Sequence, residues 1–135
     1  MCGISGFFGK ESSEPTKTHV YQTLKKMENR GKDGSGFEKV NLDFKKKLLF
    51  LHTRLSIIDP DIRSNQPFKD SEGMIVFNGM IYNFLEIRKK LLKKKIKFKT
   101  KSDTEVLLKF LNYYGIKKLN MLDGMWSFAY YNFFL

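Results

Sequence analysis

Apolar residues first recur in a loose alternation. Residues 2–8, rich in glycine, isoleucine and phenylalanine, predict a strand. A polar turn, ESSEPTKT, follows. Val20, Leu24 and Met27 then repeat at helical spacing and predict a helix to about residue 28. RGKDGSG, residues 30–36, predicts a glycine-rich loop. LLFLHTRLSII predicts a strand pair or one bent strand, and DPDIRSNQPF a loop that Pro67 ends. GMIVFNGMIYN predicts a strand running into a turn at Asn78-Gly79. NFLEIRKKLLKKK predicts a helix with Asn83 as N-cap and Leu85, Ile87, Leu91 and Leu92 on its apolar side. IKFK predicts a short strand. SDTEVLLKFLNYYG gives the clearest helix, with Ser102 and Glu105 as a capping box and Gly115 as its stop. A short mixed segment at 119–122 leads to MWSFAYYNFFL, a last strand. Strands, helix, strands, two helices and a strand make an α+β layer pattern rather than a doubly wound parallel sheet. Without an internal repeat or linker, the expectation is one domain over residues 1–135.

Composition narrows the class. The chain has 135 residues, 41% of them hydrophobic, with 13 phenylalanines, which suits a packed core and not a disordered segment. One cysteine allows no intrachain disulfide and fits a reducing, cytoplasmic setting. The N-terminus lacks the basic start of a signal peptide, and no apolar run reaches the roughly 18 residues of a membrane span. The net charge is +11, and 21 of the 25 basic residues are lysine. Nucleic-acid modules favour arginine with interleaved aromatics, because guanidinium groups pair bidentately and stack. With four arginines and no nucleic-acid motif, the lysines are expected to be solvated surface charge.

Four separated features make chemical sense together. Cys2, the lone thiol, follows the initiator methionine, and a residue this small permits removal of Met1. Its thiol and a free α-amine would then share one residue. An α-amine, with a reference pKa of about 7.7–8.0, can accept the thiol proton. A lone cysteine is otherwise commonly a small buried hydrophobe. Asn78-Gly79 could supply a side-chain amide and a backbone N–H to an oxyanion, or simply make a turn. Arg54, in HTRLSIID, is an arginine in an apolar strand. It needs a partner, either a structural carboxylate or that of a substrate. Asp103 starts a helix, where it could serve the helix dipole or hold a substrate ammonium. Arginine and aspartate gripping the charges of an amino acid, with a thiol at the far end, describe a glutamine pocket.

MCGISGFFG, NRGKDGSGFE, LHTRLSIID, QPF, VFNGMIYNFLEIR, KSDTEVLL and LDGMWSFAYY together resemble the glutaminase domain of class II glutamine amidotransferases, of the asparagine synthetase type. The resemblance covers nearly the whole chain. It implies an N-terminal nucleophile hydrolase fold, a four-layer α/β/β/α sandwich of antiparallel sheets, here incomplete at its C-terminus. It implies that Cys2 is the nucleophile and that Asn78 and Gly79 form the oxyanion hole. Arg54 would bind the glutamine carboxylate and Asp103 its amino group. Leu55, Ile57, Ile58 and Met80 would line the pocket, while Arg30, Gly31 and Asp33 would brace the adjoining loop.

Three positions depart from the family pattern. Met80 stands where a glutamate associated with the amino end of glutamine is usual, Asn29 where histidine is, and Lys32 where proline is. The family's domain continues beyond LDGMWSFAYY, so the chain is expected to be a fragment, a split product or a subunit, with an apolar edge strand at 125–135. The implied function is hydrolysis of glutamine to glutamate and ammonia through a Cys2 thioester. The alternatives are an inactive remnant or a module for amidating surface sugars. The expected partners are glutamine and a synthetase domain or subunit, with a homodimer allowed, and neither nucleic acid nor membrane. No metal or cofactor is expected in this chain; ATP and magnesium belong to the synthetase domain it lacks.

Overall fold

Alternation along the strands sorts side chains into layers. The computed structural model describes residues 1–134; Leu135, the last position of the predicted terminal strand, lies outside the described residues. The elements are β1 (Gly3–Lys10), α1 (Lys17–Met27), β2 (Gly34–Leu42), β3 (Lys46–Arg54), β4 (Phe68–Lys69), β5 (Gly73–Ile81), α2 (Phe84–Lys93), α3 (Asp103–Tyr114) and β6 (Gly124–Asn132), with short 3-10 turns between them. One antiparallel sheet has the order β1-β3-β2 and a second the order β4-β5-β6. An α+β fold with antiparallel sheets is therefore what the chain forms.

Three apolar clusters follow from the period of two in β3 and β5. Leu49 and Leu51 pack with Val20 and Leu24 of α1. Leu48 and Phe50 meet Met74 and Val76 between the sheets. Ile75, Phe77 and Ile81, on the other face of β5, pack on Ile87 and Leu91 of α2 and on α3. In α3, Val106, Leu107, Leu108, Phe110 and Leu111 are all at most 2% exposed. Burying side chains of this size contributes about 1.5–3 kcal/mol each. The third cluster thus anchors α3 and holds its polar N-terminus in place.

Several expectations are corrected. Residues 34–36 are not loop but the start of β2, because Gly34 and Gly36 pair with Arg54 and His52. Two-residue β4 begins at the last position of the expected 59–68 loop and pairs with Met74 and Ile75. The strand through LLFLHTR ends at Arg54, and residues 55–58 leave the sheet. Asn78-Gly79 is no turn: it lies within β5, paired with Ser127 and Trp126 of β6. IKFK forms no strand; Lys99 and Thr100 donate their backbone N–H groups to Glu105 instead. The same bonds break the expected capping box. Ser102 caps α3 by accepting from the Thr104 N–H, but the Glu105 carboxylate turns away to the 99–100 backbone and the Thr100 hydroxyl. Asn83 occupies the N-cap position of α2, yet its side chain bridges the Met121 carbonyl and the Asp123 N–H. Ile87 and Leu91 are buried as expected, whereas Leu85 and Leu92 are exposed. Gly115, at φ 73°, ends α3 as expected. Among the described residues β6 is an edge strand and shows Met125 to solvent. No helix among them is long and apolar enough to cross a membrane.

Candidate active site

Strand register brings Cys2 to its place. Gly3 pairs with Thr53, so Cys2 falls beside the end of β3. The Leu55 N–H donates to the Cys2 sulfur at 3.3 Å, and the Leu55 carbonyl lies 3.7 Å from the same sulfur. Arg30 donates through Nε to the Cys2 carbonyl at 3.1 Å. Asp33 holds the next turn: its N–H donates to the Arg54 carbonyl at 2.9 Å, and its carboxylate accepts from the Ser56 N–H at 2.7 Å. Gly31 permits this contact, since a Cβ there would come within 2.5 Å of the Thr53 backbone. Arg30, Gly31 and Asp33 therefore brace the site from outside rather than line it.

A cavity of about 420 Å³ opens above Cys2. Its walls include Cys2, Arg54, Leu55, Ile57, Ile58, Asn78, Gly79, Met80 and Asp103, with Met1 also on its wall. These residues come from the N-terminus just before β1, from β3, β5 and α3, and from the segment after β3, and are separated by up to about a hundred positions in sequence. Among the described residues no group of three or more His, Cys, Asp or Glu side chains gathers as a metal site.

Arg54 is 5% exposed and heavily bonded. Its Nη1 donates to the Asp61 carbonyl at 3.0 Å and to Asn65 Oδ1 at 2.7 Å, and Nη2 donates to the Asp59 carbonyl. The sequence left a structural salt bridge or a substrate carboxylate as its partner. The protein supplies neutral oxygens instead, and among the described residues no carboxylate is in direct contact with the guanidinium. Nε has no protein acceptor among the described residues, which leaves that edge of the fork for an anionic ligand.

Across the cavity, Asp103 accepts from the Ile81 N–H at 3.4 Å. Burial pushes its carboxyl above the ordinary value of 3.8, while the Ile81 and Thr104 N–H groups pull it partly back. On β5 the N–H groups facing away from β6 have individual fates. Phe77 donates to Gln66 Oε1 at 2.6 Å and Ile81 to Asp103. Gly79 stands between them in the same row, and its N–H meets no acceptor among the described residues. A Cβ on Gly79 would lie 2.6 Å from the Trp126 Cα and closer still to the Met125 carbonyl, so only glycine fits. The Asn78 side chain likewise makes no hydrogen bond among the described residues. An unclaimed amide side chain and an unclaimed backbone N–H thus sit side by side, on the wall of the cavity that also holds the thiol.

Sequence reasoning missed other lining residues. Gln66 joins β5 to α3, donating through Nε2 to Thr104 Oγ1 at 3.2 Å while accepting from Phe77. Tyr82, Thr104 and Trp126 are also on the walls. QPF and LDGMWSFAYY pointed at Gln66 and Trp126 without assigning either a task. His52, fully buried between the sheets, bonds through Nε2 to the Phe77 carbonyl at 3.2 Å, and its Nδ1 has no partner among the described residues. Burial lowers its pKa to about 4, so the imidazole is neutral at pH 7.

Comparison with known proteins places this geometry. A family model described as glutamine amidotransferase domain matches residues 1–133. An asparagine synthetase [glutamine-hydrolyzing] 1 of Arabidopsis thaliana is 35% identical over 131 residues, covering 96% of this chain and 21% of that protein. The Bacillus subtilis (strain 168) protein of the same description is 36% identical over 140 residues, covering 98% of this chain and 21% of its own length. A probable asparagine synthetase [glutamine-hydrolyzing] of Schizosaccharomyces pombe is 36% identical over 135 residues, with 98% and 23% covered. The chain thus spans about a fifth of the length of the curated relatives it matches.

Proposed function

The chain belongs to the glutamine amidotransferase domain family, and from that premise we propose that it hydrolyses glutamine to glutamate and ammonia at Cys2. One observation carries this reading: the thiol, the free Asn78 amide, Arg54 and Asp103 all line a single 420 Å³ cavity. Arg54 takes the α-carboxylate through its open edge, and Asp103, ionised, takes the α-ammonium. Leu55, Ile57, Ile58 and Met80 contact the methylenes between. With Met80 apolar, the amino end relies on Asp103.

Removal of Met1 frees the Cys2 α-amine. The amine accepts the thiol proton, and sulfur attacks the side-chain carbonyl carbon of glutamine. The Asn78 amide and the Gly79 N–H receive the oxyanion, where one such donor is typically worth about 100–1,000-fold in rate. The C–N bond breaks, the amine returns its proton to the departing nitrogen, and ammonia leaves. Water, losing a proton to the amine, then attacks the thioester. The C–S bond breaks, sulfur recovers a proton, and glutamate departs.

The three clusters running from α1 through both sheets to α2 and α3 support a four-layer α/β/β/α arrangement of the N-terminal nucleophile hydrolase kind. We read residues 1–135 as the glutaminase part of a larger system. A synthetase domain or subunit, which would carry ATP and magnesium, receives the ammonia. A nucleophilic thiol needs a reducing compartment, in keeping with the cytoplasm. The test is glutamate release from glutamine by the purified protein beside Cys2→Ala. Release by the wild type alone is expected; equal background release by both contradicts the proposal.

A further inference from the structure

We infer that Asp59, which does not line the cavity, is a positioning residue that sets the spacing between Arg54 and Asp103 and so the fit of an α-amino acid; this rests on the glutamine reading of the pocket.

Asp59 closes the SIID segment and holds a left-handed backbone, φ 52°. That conformation is uncommon outside glycine, asparagine and aspartate. It turns the Asp59 carbonyl to accept from Nη2 of Arg54. The carboxylate meanwhile reaches the opposite wall. Its Oδ2 accepts from the Lys101 N–H at 2.6 Å and from the Ser64 hydroxyl at 2.8 Å, and its Oδ1 from the Asp61 N–H at 3.4 Å. Lys101 directly precedes Ser102, the N-cap of α3, and Asp103, its first residue. One residue therefore binds the guanidinium through its main chain and the root of the Asp103 turn through its side chain.

The strut acts where polar ties hold the helix start. Beyond residue 105, α3 is fixed by its buried apolar side chains. Its first turn depends on polar ties: Asp59 to Lys101, Ile81 to Asp103, Gln66 to Thr104, and Glu105 to the 99–100 backbone. Of these, the Asp59 tie leads directly to Arg54. Without the carboxylate, the buried Ser64 hydroxyl and the Lys101 N–H lose their acceptor, and Asp103 keeps its tie to the Ile81 N–H but loses the one that fixes it relative to Arg54. That loss weakens a ligand that must reach both charges more than one that uses Arg54 alone.

The experiment measures binding by calorimetry in a Cys2→Ala background, which cannot turn over. The probes are glutamine and its α-deamino analogue glutaramate, which keeps the carboxylate and amide but lacks the ammonium. Asp59→Gly keeps the positive φ and removes the carboxylate. Asp59→Asn keeps both the conformation and an accepting oxygen. Asp59→Gly is expected to weaken glutamine about tenfold while changing glutaramate little, so that the preference for glutamine collapses; Asp59→Asn is expected to hold the preference within about threefold. Equal weakening of both probes, or an unchanged preference, overturns the positioning role and leaves the pocket reading intact. Failure of Cys2→Ala itself to bind glutamine overturns the pocket reading and this inference with it.

Discussion

The Leu55 amide donates to the Cys2 sulfur over 3.3 Å, directly after Arg54 in the chain. The proposed nucleophile and the proposed carboxylate clamp are therefore held by consecutive residues of one segment. In the proposed mode a ligand on Arg54 occupies the cavity that the thiol lines. Glutamine is predicted to slow alkylation of Cys2 by iodoacetamide, with propionamide, which has the amide but neither the carboxylate nor the ammonium, giving no protection. Because this is the only thiol in the chain, mass spectrometry of the labelled protein reads the site without ambiguity.

Arg54→Lys separates the two tasks of this side chain. An ammonium cannot span the Asp59 and Asp61 carbonyls, Asn65 Oδ1 and a substrate carboxylate at once. Steady-state kinetics are expected to show KM for glutamine raised at least about tenfold. Urea denaturation is expected to show a loss of about 1–3 kcal/mol, from carbonyl groups left without donors.

Asp103 gives a pH signature. Its pKa is raised by burial, and in the proposed binding mode the ammonium of glutamine requires the ionised form. KM is therefore predicted to climb as pH falls through a value above 3.8. The stability effect has the opposite sense. A carboxyl with a raised folded pKa favours folding while protonated and costs stability as pH rises through that pKa. Asp103→Asn should accordingly raise KM about tenfold or more while leaving the thermal midpoint at pH 7 equal or higher.

His52 sets a second pH dependence. Its folded pKa, lowered from 6.5 to about 4, means that neutral His52 supports folding fully above pH 6.5. As pH falls from 6.5 towards 4, up to about 3 kcal/mol is lost. His52→Gln, which keeps an N–H for the Phe77 carbonyl, is predicted to flatten denaturation midpoints over that interval relative to the wild type.

The proposed reacting groups were legible in the sequence because each has a chemistry that few positions tolerate. A thiol at position 2, an arginine in an apolar strand, an Asn-Gly pair and an aspartate at a helix start announce themselves. Their arrangement was legible only through resemblance, since no local pattern reveals that β1 and β3 pair so as to set Cys2 beside Leu55. The supporting polar residues were illegible for a different reason. Glu105 looked like half of a capping box, and only the fold shows its carboxylate committed to Lys99 and Thr100. Asn-Gly looked like a turn, because local propensity cannot report that β6 lies alongside. Gln66 and Asp59 act between segments about 40 residues apart, a separation at which periodicity carries no information.

The central claim, that Cys2 is an N-terminal nucleophile acting on glutamine, is tested most directly by intact-mass measurement of the protein acid-quenched during turnover. The account predicts a chain lacking Met1, part of which carries one glutamyl group on the peptide that begins with Cys2 and none of which does so in Cys2→Ser. A chain that lacks Met1, is saturated with glutamine and carries no adduct, while glutamate accumulates equally with Cys2→Ala, would contradict it.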